Sequence, residues 1–392
     1  MSEIKQFIEK LCPEGVEYKS LGSLLKYEQP SKYIITSKDY LDEGIPVLTA
    51  GQTFILGYVE ETEGIYKASK DNPVIIFDDF TTSFHWVTFD FKVKSSAMKM
   101  LRPQTDEINF RFIYYAMKCI NYETQDHARQ WISKYSNFEI PVPPMEVQRK
   151  IVEILDNFTE LEAELEAELE ARRKQYEYYR NQLLTFDKVG GARFDVKWMK
   201  LGEICDTLSG FPFDSSKFKD EGIQLMRGAN IKRGYFDFSS ELNKYWESSE
   251  GLEKYLLEPN DIIISMDGSL VGKSFCYLKK EHLPLLLVQR VARLRTKENF
   301  KYIYYNITNS FSDYVDKKKT AGAIPHISMK DINGFTIPLP PLEEQERIVS
   351  ILDRFEALTT DLQSGLPAEI EARRKQYEYY RERLLSFKRK SE

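Results

Sequence analysis

Cysteine and histidine are scarce in this chain. Its 392 residues hold four Cys (Cys12, Cys119, Cys205, Cys276) and four His (His85, His127, His282, His326). No two cysteines lie close enough for a zinc pair, and no disulfide framework is implied. No metal site is expected. Long apolar runs are missing too. The longest candidate, Leu283–Val288, contains Pro284 and falls far short of the ~20 residues a membrane helix needs. No secretory leader and no membrane partner are expected, and the cytoplasm is the default compartment. An excess of positive charge is also lacking, since the net charge is −6. That sum hides a division: residues 1–145 carry −4, 146–187 carry −5, 188–342 carry +4 and 343–392 carry −1. Local patches, not the total, decide affinity for nucleic acid.

Catalytic signatures are equally thin. Gly268-Ser-Leu-Val-Gly-Lys-Ser274 imitates a phosphate-binding loop but has three residues between its glycines. The GxxxxGK[ST] pattern needs four, and that spacing sets how the amides wrap a phosphate. There is no GxGxxG fingerprint. The Pro-Pro pairs are followed by Met145 and Leu342, not by the Tyr or Phe of an amino-methyltransferase loop. No Ser/His/Asp set or paired carboxylates stand out, so no active site is expected in this chain.

What the chain has is repetition. Glu-Ala-Arg-Arg-Lys-Gln-Tyr-Glu-Tyr-Tyr-Arg occurs at Glu170–Arg180 and again at Glu371–Arg381. An earlier echo pairs Ile140-Pro-Val-Pro-Pro-Met145 with Ile337-Pro-Leu-Pro-Pro-Leu342. A period near half the chain means one unit written twice. Each Pro-Pro pair suits a first helical turn, and each is followed by a stripe at steps of three and four. The first stripe is Ile151, Leu155, Phe158, Leu161, Leu165, Leu169, Tyr176, Tyr179, Leu183 and Phe186. The second is Ile348, Ile351, Leu352, Phe355, Leu358, Leu362, Ile370, Tyr377, Tyr380, Leu384 and Phe387. Matched stripes of this kind zip together as a coiled coil. Gly190-Gly191 is expected to end the first helix. The second copy has four extra residues near Ser364-Gly-Leu-Pro367, where proline is expected to kink or break it. Within the first helix, Glu160–Ala171 is a Glu-Leu-Glu-Ala tetrapeptide written three times. It reads as a spacer changeable by ~6 Å of helix per unit, or as a generic acidic helix.

The regions between the helices read as α/β, with short buried strands at Pro46–Ala50, Pro73–Asp78, Leu225–Arg227 and Asp261–Ser265. Echoes link the halves: Val74-Ile-Ile-Phe-Asp-Asp with Ile262-Ile-Ile-Ser-Met-Asp, and Phe112-Ile-Tyr-Tyr with Tyr302-Ile-Tyr-Tyr. Polar and basic residues cluster on the loops after the strands. In the first region these are Gln52, Thr53, Thr81, Thr82, Ser83 and His85, with Lys92, Lys94, Arg129 and Lys134 as phosphate contacts. In the second they are Arg227, Asn230, Lys232, Arg233, Ser269, Lys273, Gln289, Arg290, Arg293, Lys317, Lys318, Lys319 and His326. Arg pairs with guanine, Asn and Gln with adenine, and Lys neutralises phosphate. Each alone reads equally well as a solvated side chain.

This layout resembles the specificity subunit of type I restriction–modification enzymes. Ile324-Pro-His-Ile-Ser328 looks like that family's usual ending for a target-recognition domain, with a loose counterpart near Trp131-Ile-Ser133. The resemblance implies two α/β target-recognition domains, 1–144 and 188–341, separated by a spacer helix at 145–187 and a C-terminal helix at 342–392. The helices would form an antiparallel coiled coil with pseudo-two-fold symmetry. It also implies a non-catalytic reader of double-stranded DNA, each domain taking half of an asymmetric gapped site. Two methyltransferase subunits would dock on the helices and restriction/translocase subunits would join them. S-adenosylmethionine, ATP and Mg would belong to those partners. The competing reading is a coiled-coil adaptor that binds no DNA.

Overall fold

In a computed structural model, described residues are 2–36, 39–51, 53–124, 128–186, 196–318, 325–361 and 364–390. The Gly190-Gly191 break falls outside them.

The first half runs α1 (Ser2–Leu11), β1 (Glu17–Ser20), α2 (Leu21–Leu24), β2 (Leu25–Glu28), β3 (Ile45–Leu48), β4 (Ile55–Val59), β5 (Val74–Asp78), β6 (Phe84–Val87), β7 (Lys92–Val93), β8 (Met98–Pro103), α3 (Phe110–Met117), β9 (Glu139–Val142) and α4 (Met145–Thr185). The second runs β10 (Lys197–Lys200), α5 (Leu201–Ile204), β11 (Cys205–Ser209), β12 (Ile223–Met226), β13 (Tyr245–Trp246), β14 (Ile262–Ser265), β15 (Phe275–Tyr277), β16 (Leu285–Leu287), β17 (Val291–Thr296), α6 (Phe300–Asp316), α7 (Met329–Gly334), β18 (Thr336–Leu339), α8 (Leu342–Thr360) and α9 (Leu366–Leu384). The chain divides into two units, 1–166 with 369–392, and 167–368.

Both units carry the same three sheets. Unit one has β1-β9, β2-β8-β5-β6 and β4-β3-β7; unit two has β10-β18, β11-β17-β14-β15 and β13-β12-β16. Alternation along the central strands feeds two cores in each. Ile75 and Phe77 face the cluster holding Phe112 and Ile151, whereas Val74 and Ile76 join Leu48 and Phe91 on the other side. In β14, Ile262 and Ile264 share a cluster with Tyr302 and Ile348, and Ile263 packs with Met226 and Leu285. A strand buried on both faces reads as a continuous apolar run, which is why both were visible. The sequence echo, however, is one residue out. Ile75 pairs with Leu101 and Ile262 with Leu294, so Val74 corresponds to Asp261 and Asp79 to Met266.

The helices join the sheets through a buried glutamine in each unit, Gln148 and Gln345. Asn109 caps α3 by accepting from the amides of Arg111 and Phe112. The Asn109 amide in turn donates to Gln148 Oε1 at 2.8 Å, and Gln148 Nε2 donates to the Pro143 carbonyl at 2.7 Å. Unit two repeats this: Asn299 caps α6, its amide donates to Gln345 Oε1 at 3.1 Å, and Gln345 Nε2 reaches the Pro340 carbonyl at 2.9 Å. Arg111 and Tyr115 meet Asp156 as Lys301 and Tyr305 meet Asp353. Burial and the Asp156 acceptor push the Tyr115 phenol well above its usual value, so it stays a donor. Replacing Gln148 or Gln345 with Ala leaves two buried backbone groups unpaired, each costing roughly 1–3 kcal/mol. We expect each variant to lower the urea midpoint of its own unit by an amount worth about 2 kcal/mol or more; an unchanged midpoint would mean the cap stands without it.

Stripe residues seat where the periodicity places them, with adjustments. Within unit one, α4 and α9 run antiparallel: Phe158 meets Tyr380 with ring centroids 5.4 Å apart, and Arg374 pairs with Glu162 and Glu166. Leu165 and Ile370 are buried. Ile151, Leu155 and Leu384 sink into the main core, which Tyr377 also flanks. Within unit two, Phe355 of α8 lies against Tyr176 and Tyr179 of α4, and Ile348 and Leu352 are fully buried. Leu169 is half-buried, and Leu184, one residue beyond the expected Leu183, is the sealed position. Leu362 lies outside the described residues.

The second long helix is two helices. Helix α8 ends at Thr360 and α9 begins at Leu366, with Pro367 in its first turn, where a missing N–H costs nothing. Gly365 allows the crossing: a Cβ there would come within 2.6 Å of the Ala357 carbonyl oxygen. After α9 the chain returns along unit one. The Val16 amide donates to the Lys388 carbonyl and the Lys390 amide to the Val16 carbonyl, both at 2.9 Å.

Candidate nucleic-acid interface

One end of each central sheet gathers the loops that carry the candidate residues. In unit one these are the 49–54 turn, the 79–83 connection, the residues entering β8, and the 128–134 segment. His85, just after the second, reaches the first, its Nε2 lying 3.3 Å from the Gly51 carbonyl oxygen; burial holds its pKa below the usual imidazole value. The Asp79 amide donates to the Ala97 carbonyl, and the Gln130 amide donates to the Asp79 carbonyl. Unit two gathers the equivalents. The Met266 amide donates to the Arg290 carbonyl, and the Ile327 amide to the Met266 carbonyl. Gln130 therefore occupies the place of Ile327, and Ser328, which caps α7, follows at the close of the recognition region.

Exposed candidates crown these ends. Thr53, Thr81, Lys94, Arg129 and Lys134 are exposed in unit one, and Ser83 is half-buried with its hydroxyl on that of Thr81 at 2.9 Å. In unit two Arg233, Ser269, Lys273, Gln289 and Arg290 are exposed. Arg290 sits at φ 62° with its guanidinium 3.0 Å from Asp267 Oδ2, and His326 bridges to Asp267 through the backbone. Lys317 and Lys318 are exposed at the end of α6. Gln52 and Lys319, with Ile324, lie outside the described residues.

Burial removes four candidates from direct contact. Lys92 is almost fully buried, its ammonium 2.7 Å from Glu61 Oε2 and from the Glu63 carbonyl. The Arg293 side chain is covered and paired with Asp206. Asn230 is inaccessible, its amide side chain donating to the Asp237 carbonyl at 2.9 Å. Thr82 is buried and its hydroxyl donates to the Thr81 carbonyl. Asn230 and Thr82 brace their loops from beneath, whereas Lys92 and Arg293 lie on strands β7 and β17. Arg227 is half-buried over the Phe218 ring and donates to the Leu242 carbonyl, and Lys232 lies 3.8 Å from Asp237.

Two further features escaped the sequence. A fully buried pair, Lys99 and Asp79, meets at 2.9 Å, and the Trp131 amide donates to Asp79 Oδ1 at 2.8 Å. This pair anchors the segment bearing Arg129 and Lys134. Exposed apolar side chains, Phe80 and Ile132 in unit one and Tyr235 and Leu270 in unit two, stand among the polar candidates.

A duplicated α/β frame, with sheet ends that differ in loop length and in exposed side chains and helices braced to each unit, defines a tandem recognition subunit. Known proteins specify which. The family model described as the type I restriction modification DNA specificity domain matches residues 13–171 and again 195–372, and this chain belongs to that family. It is 44% identical to the type I restriction enzyme EcoR124I/EcoR124II specificity subunit of Escherichia coli, across 99% of this chain and 98% of that one. A putative type I restriction enzyme specificity subunit of Haemophilus influenzae is 29% identical, covering 99% and 100%. Among solved structures, the type I restriction-modification S subunit from M. genitalium superposes with a TM-score of 0.57 at 16% identity, over 95% and 96% of the chains. A chain from a type I system studied for its complex assembly gives 0.60 at 17%, over 95% and 98%. No described helix is long and apolar enough to cross a membrane.

Proposed function

We propose that each unit reads one half of an asymmetric, gapped DNA site and that the chain itself performs no chemistry. The carrying observation is the pairing of one frame with two different sheet ends. Identical units would favour a palindrome, whereas dissimilar loops on a repeated frame suit half-sites of unlike sequence. The helices set the gap and dock two methyltransferase subunits, with restriction/translocase subunits joining that core in the cytoplasm. S-adenosylmethionine, ATP and Mg serve in those partners, where a target adenine leaves the stack to be modified. The strong identity to a named specificity subunit supports this reading.

Methylome sequencing of cells with and without this chain tests it. A two-part adenine motif appearing only with the chain is the expected result. The assembled complex should also bind DNA with an affinity that falls steeply with salt. No chain-dependent motif and no salt-dependent binding would favour an adaptor instead.

A further inference from the structure

The two units differ most in one connection. Between β3 and β4 the first unit has residues 49–54, six in all, whereas between β12 and β13 the second has 227–244, eighteen. The added chain folds back on itself. Ile231 and Phe236 form an antiparallel bridge, the Lys232 amide donates to the Tyr235 carbonyl at 3.0 Å, and Gly234 turns at φ 82°, a conformation that favours glycine.

The foot of this hairpin is fixed. Ile231 is buried in a cluster flanked by Phe236 and Phe238, and Asn230 locks the entry and exit strands together through Asp237. The tip also leans on the loop bearing Ser269 and Lys273. The Gly234 amide donates to the Phe275 carbonyl at 3.1 Å, one residue past that loop's end. Gly228, at the foot, approaches so closely that a Cβ would meet Ser265 Oγ at 3.0 Å. What remains exposed is a cation and an aromatic ring: Arg233 is exposed and Tyr235 is 59% exposed. Rooted apolar residues below and an uncovered Arg and Tyr above make a rigid probe rather than a packing surface. An Arg fork fits the O6 and N7 acceptors of guanine, and an apolar edge fits a thymine methyl.

We propose that residues 231–236 are a base-reading finger which the second unit has and the first lacks, Arg233 reading a guanine and Tyr235 an adjacent base edge in the second half-site. This rests on the DNA-reading function above. The test compares methylomes of cells carrying the complete system with wild-type chain, Arg233→Ala or Tyr235→Ala. In Arg233→Ala, one guanine of the second half-site should lose roughly tenfold or more of its discrimination, as expected for a bidentate contact, while the first half-site is unchanged. Tyr235→Ala should relax a neighbouring position. Because both side chains are exposed, thermal melts should match wild type. Unaltered motifs in both variants would overturn the proposal. So would a uniform drop across all sites with a shallower salt slope, the mark of a phosphate contact, or loss of assembly with the partner subunits. A wild-type chain that imposes no two-part motif would instead overturn the function on which the finger depends.

Discussion

Deletion of Ala163–Glu166 is expected to cost the complex roughly a hundredfold in methylation of its original site, while sites with the same two half-sequences and a gap shorter by one or two base pairs gain activity. Removing these four residues leaves two of the three Glu-Leu-Glu-Ala units between Glu160 and Ala171. Four residues are ~6 Å of helix, against base steps of ~3.4 Å, and misplacement of reacting groups by about 1 Å can already cost ~100-fold. The coil itself should survive. Arg374 pairs with Glu162 and Glu166; after the deletion Glu170 takes the place of Glu166 and Leu169 that of buried Leu165. Methylome sequencing with the deleted chain decides it. Changed half-sequences with an unchanged gap would defeat the spacer reading.

Asp79→Ala should be the most damaging single substitution in unit one. It leaves the Lys99 ammonium buried without its counter-charge, with the Tyr27 ring at 4.8 Å as the remaining cation contact among described residues. Removing one partner of such a pair costs about 3–5 kcal/mol. Unit two supplies the control, since its equivalents are Met266 and Ala292 by strand register. The double variant Asp79→Met, Lys99→Ala should recover most of the loss in urea unfolding. It should still loosen the first half-site, because the Trp131 amide no longer has its acceptor and the segment bearing Arg129 and Lys134 is freed. A single variant within about 1 kcal/mol of wild type would mean that solvent reaches the pair.

The helical frame was legible because its apolar period and the eleven-residue identity are local properties of the chain. The break before Pro367 was legible for the same reason, since a proline inside a helix kinks or breaks it and is tolerated in a first turn. Strand register was not. Val74-Ile-Ile-Phe and Ile262-Ile-Ile are apolar at every position, so either alignment looks equally good until hydrogen bonds to β8 and β17 choose one. Turn residues follow each buried run, which made the loops legible, but Lys92, Arg293 and His85 lie on strands, and burial depends on residues far away in sequence. Lys92 looked like a phosphate ligand, but the Glu61 carboxylate and the Glu63 carbonyl, from the connection between β4 and β5, close over it. Gln148 and Gln345 could have been found: both stand four residues after a repeated Pro-Pro pair.

The first reader closes last. Its core takes Leu384 and Leu385, which follow unit two in the chain, and Val16, just before its opening strand, is held by Lys388 and Lys390. During synthesis, Leu155, Phe158 and Leu165 must therefore wait for some two hundred further residues before they are covered. A message cut short after unit two releases a nascent chain with one finished half and one sticky half. In such a product the faces that Tyr380, Leu384 and Leu385 cover in the whole chain stay open to solvent.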